Sequence, residues 1–364
     1  MIRLTLVAGA RPNFMKIAPL IHQIQQKQKE GKAVAFRLIH TGQHYDKNLS
    51  DTFFEELNIP KPNANLQVGG GTQAEQTAGI MIGFEKELAE NPSDLVIVVG
   101  DVTSTMACSI VAKKANVKVA HIEAGIRSFD LTMPEEINRM VTDSITDYFF
   151  TTSSYANDNL KKAGIEADRI FFVGNIMIDS LVKNLERIEE PSFFKELQLS
   201  DKKYLVLTMH RPANVDNKEN LQQYLDNITA FAKDFTILFP VHPRTKPVIE
   251  AIGKNYPNLE LVEPQPYLKF IYLLKNAAGV ITDSGGITEE ATYLHIPCIT
   301  LRENTERPET CVLGSNVLVG NDFKALEENI LKIKENNWKK VQIPELWDGH
   351  TAERIVKILF DLKY

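Results

Sequence analysis

Two short segments, Asp283-Ser284-Gly285-Gly286-Ile287-Thr288-Glu289-Glu290-Ala291 and Arg302-Glu303-Asn304-Thr305-Glu306-Arg307-Pro308-Glu309, carry residue types suited to gripping an anion. The first follows an apolar run, Ala278–Thr282, that reads as a buried strand. It then opens a helix with Ser284, Gly285 and Gly286 ahead of any bulky side chain. Such a start can bring several free backbone N–H groups against negative charge, helped by the helix dipole. Taken alone, it also fits an ordinary capped helix. The second segment adds Arg302 and Arg307, whose guanidinium groups can neutralise the same anion bidentately. Together the segments suggest a diphosphate site, with Glu290 one turn into the helix able to accept hydrogen bonds from ribose hydroxyls.

Acid/base candidates lie in the first half. Asp101 follows the apolar run Leu95–Val99, and Glu123 follows Val117–Ile122, so each carboxylate would project beyond a strand end. A carboxylate partly removed from water has a raised proton affinity suited to general acid or base work. Asp101 could equally cap the helix expected from Thr103, whereas Ala124-Gly125 starts no obvious helix after Glu123. Pro134-Glu135-Glu136 reads as a helix start with acids beside the positive end of the dipole. Adjacent helical residues point in different directions, and Glu135 is the one expected to reach a substrate.

His210 and His242 both end strands, where an imidazole can donate to a leaving phosphate oxygen or shuttle a proton. For His242 a structural hydrogen-bonding role stays open. Arg11 and Lys16 flank Pro12 where the first helix begins, and positive charge there is locally unfavourable unless an anion is near. A solvated basic turn is the alternative. His40 and His44 are separated by Thr41-Gly42, which makes a helical metal pair improbable, and no other metal-ligand cluster stands out. The G-x-G-x-x-G, G-x-x-x-x-G-K-[ST] and G-x-S-x-G patterns are absent, so a Rossmann-type NAD site is unsupported and no cofactor is expected. Diphosphate recognition without those motifs favours a nucleotide sugar.

Positioning these residues takes a large α/β framework. Short apolar runs alternate with amphipathic stretches along all 364 residues, which implies parallel sheets covered on both faces. A dozen strands exceeds one comfortable open sheet, so the expectation is two doubly wound domains, 1–175 and 176–350. The polar stretch Glu186–Lys203 reads as the linker, and the helix expected over 351–364 can return to the first domain. The formal net charge of −6 argues against a general nucleic-acid binder. No run approaches the ~18–20 apolar residues of a membrane span. Cys108, Cys298 and Cys311 lack CxxC spacing and read as buried reduced thiols, which fits a cytoplasmic protein.

Read in order, GARPNFMKIAPL (9–20), TGQH (41–44), GD (100–101) with Ser104, HIEAGIRS (121–128), PEEINR (134–139), HR (210–211), VHP (241–243), DSGGITEEA and RENTERPE form a pattern over nearly the whole chain. It resembles the non-hydrolysing UDP-N-acetylglucosamine 2-epimerases. The resemblance implies a glycosyltransferase-B-type fold, two Rossmann-like domains facing across a cleft, usually as a homodimer. It implies reversible C2 inversion to UDP-N-acetylmannosamine through elimination of UDP and a 2-acetamidoglucal, without NAD or metal. By that likeness Asp101, Glu123 and Glu135 form the acid/base set, with His210 beside the leaving diphosphate. Arg11 and Lys16 organise the sugar and phosphate end. Ser284, Gly285 and Gly286 hold the diphosphate, Glu290 the ribose, and Arg307 the phosphate or the closed cleft.

The pattern departs from the family in places. His210-Arg211-Pro212-Ala213-Asn214 lacks the glutamate of the usual HRxEN, and Tyr45-Asp46 replaces the usual pair after TGQH. In some members those regions, with Arg211 and His242, help form a regulatory UDP-sugar pocket. Weak or absent substrate activation is therefore expected. A hydrolysing relative, and epimerases of diacetamido-uronic or 6-deoxy UDP-sugars, are the alternatives.

Overall fold

The computed structural model describes residues 1–42, 54, 56–241 and 245–362, apart from the side chains of Arg11, Pro212 and Ala213. Its strands form two sheets whose described pairings are all parallel. The chain divides into two compact units, Met1–Ser180 with Glu345–Tyr364, and Leu181–Pro344.

The first unit holds β1 (Ile2–Ala8), β2 (Val34–His40), β3 (Ala64–Asn65), β4 (Leu95–Val99), β5 (Lys118–Ile122), β6 (Tyr148–Thr151) and β7 (Ile170–Phe172). Their order is β3-β2-β1-β4-β5-β6-β7. Every residue of β4, Leu-Val-Ile-Val-Val, is buried, as a strand covered by helices on both faces requires. The helices Gln73–Glu90 and Thr103–Lys114 cover one face, where Ile80, Phe84, Leu88, Cys108 and Val111 pack on Val7, Ile39, Val96 and Val98. Thr72 caps the first of these in a reciprocal box with Glu75.

The second unit holds β8 (Tyr204–Thr208), β9 (Thr236–Pro240), β10 (Leu259–Val262), β11 (Gly279–Thr282), β12 (Cys298–Thr300) and β13 (Asn316–Leu318), ordered β10-β9-β8-β11-β12-β13. Each unit is thus a Rossmann-like doubly wound sheet, and the pair makes a glycosyltransferase-B-type fold. Strand order reverses between β1 and β4, and again between β8 and β11. Ligands of open α/β sheets bind beyond the carboxyl ends of the strands at such reversals.

Two details differ from the sequence reading. The two-residue β3 is an extra strand, too short to leave a pattern. The polar stretch Glu186–Lys203 lies inside the second unit instead of linking the two. The Tyr272 hydroxyl donates to Glu190 at 2.7 Å, and Phe194 packs edge-on against Tyr204 and Tyr272, which ties the stretch down. The chain leaves the first unit within the helix Ile176–Asn184 and returns to it before Trp347. Trp347 is buried and donates to the Thr152 carbonyl at 3.2 Å. The last helix, Thr351–Asp361, then packs on Arg11–Lys29, and its first N–H groups, those of Thr351 and Ala352, donate to Asp179 at 3.0 and 2.7 Å. Among the described residues no helix is long and apolar enough to cross a membrane, and the three cysteines are free.

Candidate active site

At the first reversal, the helix Arg11–Lys29 brings Asn13 and Lys16 to the ends of β1 and β4. The Asn13 side chain donates to the Val99 carbonyl at 3.1 Å and accepts from the Gly9 and Ala10 N–H groups at 3.3 and 3.0 Å. This ties the helix start to β4. Lys16 Nζ lies 2.5 Å from Glu123 Oε2, with the two side chains 13% and 2% exposed. The anion that offsets Lys16 is therefore a carboxylate of the chain itself. Glu123 sits in left-handed backbone, φ 70°, held by donation of its own N–H and that of Ala124 to the Phe150 carbonyl. A non-glycine residue held there costs ~1–3 kcal/mol, and such residues cluster at functional sites.

Gly100 is also left-handed, φ 68°. A Cβ on it would stand 3.5–3.6 Å from Lys16 Nζ, Asn13 Nδ2 and Glu123 Oε2, so these three polar groups converge beside its Cα. Asp101 follows. Its carboxylate accepts from Arg139 Nη2 at 2.5 Å and its carbonyl from Asn138 Nδ2 at 2.9 Å. The capping alternative for Asp101 fails, because the N-cap of Thr103–Lys114 is Val102 and carries no side-chain cap bond.

The helix Pro134–Ile145 separates its two leading acids. Glu135 is exposed, while Glu136 is buried and accepts from Ser128 N, Ser128 Oγ, Phe129 N and Arg139 Nη1 at 2.7–3.1 Å. Arg139 therefore joins Asp101 to the residue that secures the 126–129 loop. Beneath both strand ends lies His121, wholly buried, with Nδ1 2.7 Å from Asp143 Oδ1 and Nε2 2.8 Å from the Gly100 carbonyl. Asp143 Oδ2 accepts from Gly125 N at 3.1 Å and pairs with Arg127 at 2.7 Å. Gly125 itself admits no side chain, since a Cβ would lie 2.4 Å from the Ala156 carbonyl.

At the second reversal, His210 after β8 meets Asp283 after β11. His210 Nδ1 is 2.7 Å from Asp283 Oδ1, with the imidazole 59% exposed and the carboxylate fully buried. Burial pushes the Asp283 carboxyl up, but His210, the Arg211 N–H and the Asn214 amide hold it below the usual carboxylate range. Ser284 is the N-cap of Gly285–Tyr293 and makes no side-chain cap bond, unlike an ordinary capped start. Space beside Gly286 is open. Gly285 faces Arg302 Nη1 and Glu306 Oε1, at 3.6 and 3.1 Å from where a Cβ would be. Arg302 pairs with Glu306 at 2.7 Å. Arg307 is buried and donates to Glu289 Oε1 at 2.5 Å. Glu290 is buried, and that burial, with the charge of Glu289, pushes its carboxyl up to about 8.

Lys16, Gly100 and Glu123 thus gather at the first reversal, with Asp101 following Gly100, and His210, Ser284, Gly285 and Gly286 gather at the second. The Arg11 side chain and His242 lie outside the described residues. Sequence reasoning passed over Asp283, Arg139, His121 and Asp143. Asp283 stood inside the DSGG segment, a signal that could have marked it. Among the described residues no group of three or more His, Cys, Asp or Glu could hold a metal ion.

Residues 26–360 match the family described as UDP-N-acetylglucosamine 2-epimerase. The chain is 42% identical over 377 residues, and over the full length of both proteins, to the UDP-N-acetylglucosamine 2-epimerase of Methanocaldococcus jannaschii. It is 38% identical to the UDP-2,3-diacetamido-2,3-dideoxy-D-glucuronate 2-epimerase of Pseudomonas aeruginosa, over 86% of this chain and 87% of that one. A crystal structure of M. jannaschii UDP-GlcNAc 2-epimerase in complex with UDP-GlcNAc and UDP has a TM-score of 0.87 at 41% identity, covering 99% of this chain and 100% of that one. Two doubly wound sheets, the strand-end residues and likeness over the whole length agree: this chain belongs to the UDP-N-acetylglucosamine 2-epimerase family.

Proposed function

We propose that the chain interconverts UDP-N-acetylglucosamine and UDP-N-acetylmannosamine without releasing free sugar. The C2–H and C1–O bonds break, the C1=C2 double bond of a 2-acetamidoglucal forms, and UDP departs with the C1–O electron pair. UDP then re-adds at C1 while a proton reaches the opposite face of C2. The sequence is redox-neutral overall and needs no hydride carrier.

The observation that carries this reading is the pair of carboxylates after neighbouring strands β4 and β5, each held by its own cation: Asp101 by Arg139 and Glu123 by Lys16. Asp101, Glu123 and Glu135 form the proton-handling set. His210, aimed by Asp283, serves the leaving diphosphate. Gly285 and Gly286 present backbone N–H groups to that diphosphate and Ser284 its hydroxyl, the Ser284 N–H being held by Thr282 Oγ1 at 3.0 Å, with Arg302 beside them, while Glu290 takes the ribose. Arg307, engaged with Glu289, steadies this helix, and Arg11 and His242 complete the substrate contacts. Preorganised donors against the departing charge do more for such a reaction than any one base. The family likeness supports a homodimer, which sedimentation measures directly.

The test is incubation with UDP-N-acetylglucosamine in deuterated water, followed by NMR. Deuterium at C2 with both epimers of the UDP-sugar upholds the reading, and accumulation of UDP with free N-acetylmannosamine points to hydrolysis instead. Likeness to the P. aeruginosa diacetamido-glucuronate enzyme favours one second reading, the same inversion on a more substituted UDP-sugar. Relative kcat/KM over both substrates separates them.

A further inference from the structure

Both ring nitrogens of the wholly buried His121 face atoms that accept protons and do not give them. Nε2 lies 2.8 Å from the Gly100 carbonyl, which has no proton to donate, so Nε2 carries one. Nδ1 lies 2.7 Å from Asp143 Oδ1. Burial pushes the Asp143 carboxyl up, yet His121 and Arg127 hold it below its ordinary range. Its second oxygen accepts from Gly125 N and pairs with Arg127. A protonated Asp143 would forfeit that pairing in a site closed to water, so the carboxylate is ionised and Nδ1 also bears its proton.

We infer that His121 is held as an imidazolium and acts as a positioning residue, fixing through one N–H the peptide before Asp101 and, through Asp143, the turn after Glu123. One buried ring thereby sets the spacing of two carboxylates that follow the ends of neighbouring strands. Neutral histidine has a single ring N–H and cannot donate both bonds. Glutamine cannot either, because its donors share a single nitrogen.

The chain has eight histidines. With their rings labelled with ¹⁵N in the intact protein, one should give two ring N–H signals protected from solvent exchange. Absence of any doubly protonated, protected ring overturns the inference, and this measurement needs no variant. His121→Gln should remove those signals and lower kcat about tenfold or more, with KM and UDP affinity within about twofold, as expected when reacting groups lose orientation. Unchanged kcat in that variant also overturns it. The kinetic arm rests on the epimerase reading. If the unaltered chain turned over no UDP-sugar, that reading would fall while the paired N–H signals still upheld the imidazolium.

Discussion

Asp283 holds the imidazole of His210 by its Nδ1 at 2.7 Å, leaving the ring more than half exposed at the end of β8. The carboxylate also accepts from the backbone N–H groups of His210 and Arg211 at 3.0–3.2 Å. It thus sets both the chain path and the ring. Asp283→Asn keeps the shape but removes the charge and an acceptor oxygen. We expect kcat to fall on the order of tenfold to a hundredfold, with UDP affinity changed little. Steady-state kinetics and calorimetry with UDP check this, and equal losses in both would assign Asp283 a purely structural part.

Glu123→Gln should lose about a hundredfold or more of turnover, the range expected when an acid/base group is removed, while still binding UDP. The substitution also strips Lys16 of its 2.5 Å counter-charge. Exchange of solvent deuterium into C2 should fall in parallel. Near-normal epimerisation by this variant would contradict the assignment.

Glu290 gives a stability prediction with a definite sign. In the folded chain its carboxyl stays protonated up to about 8, against 4.5 for an unperturbed glutamate. Between those values the folded state binds the extra proton, so stability declines as pH rises through that window and levels off above it. Glu290→Gln, fixed in the neutral form, should therefore raise Tm relative to the parent near pH 9 and change it far less near pH 5. A Tm gain equal at both pH values would refute the linkage. UDP should reverse the trend if the ribose hydroxyls hydrogen-bond the ionised carboxylate.

Initial rates should be hyperbolic in UDP-N-acetylglucosamine. The glutamate of the usual HRxEN is missing, and Arg211 Nε already donates to the Asp283 carbonyl at 3.1 Å. Sigmoidal rates that disappear in Gln43→Ala would overturn this expectation. Gln43 lies outside the described residues.

Much of the fold was legible because strands buried on both faces leave unbroken apolar runs, as β4 does. The polar residues that end such runs, Asp101, Glu123 and His210, were visible for the same reason. What escaped were partnerships made only by tertiary folding. His121 reads as part of the core because it lies within β5, and its partner Asp143 is 22 residues further on. Asp283 and the His210 backbone it receives are 73 residues apart. Arg139 looked like one charge among several on a helix. Only the packing of that helix against the β4 end brings it to Asp101. The strand β3 escaped because two residues carry no periodicity.

The return of the chain into the first unit has a consequence for synthesis. Asp179 must wait for Thr351 and Ala352 before its carboxylate finds those N–H partners, and Thr152 must wait for Trp347. A ribosome delivers residues in order, so the whole of Leu181–Pro344 emerges before the first unit can close its core. During translation the amino-terminal half is therefore an unfinished body, open along the flank that Thr351–Asp361 will cover.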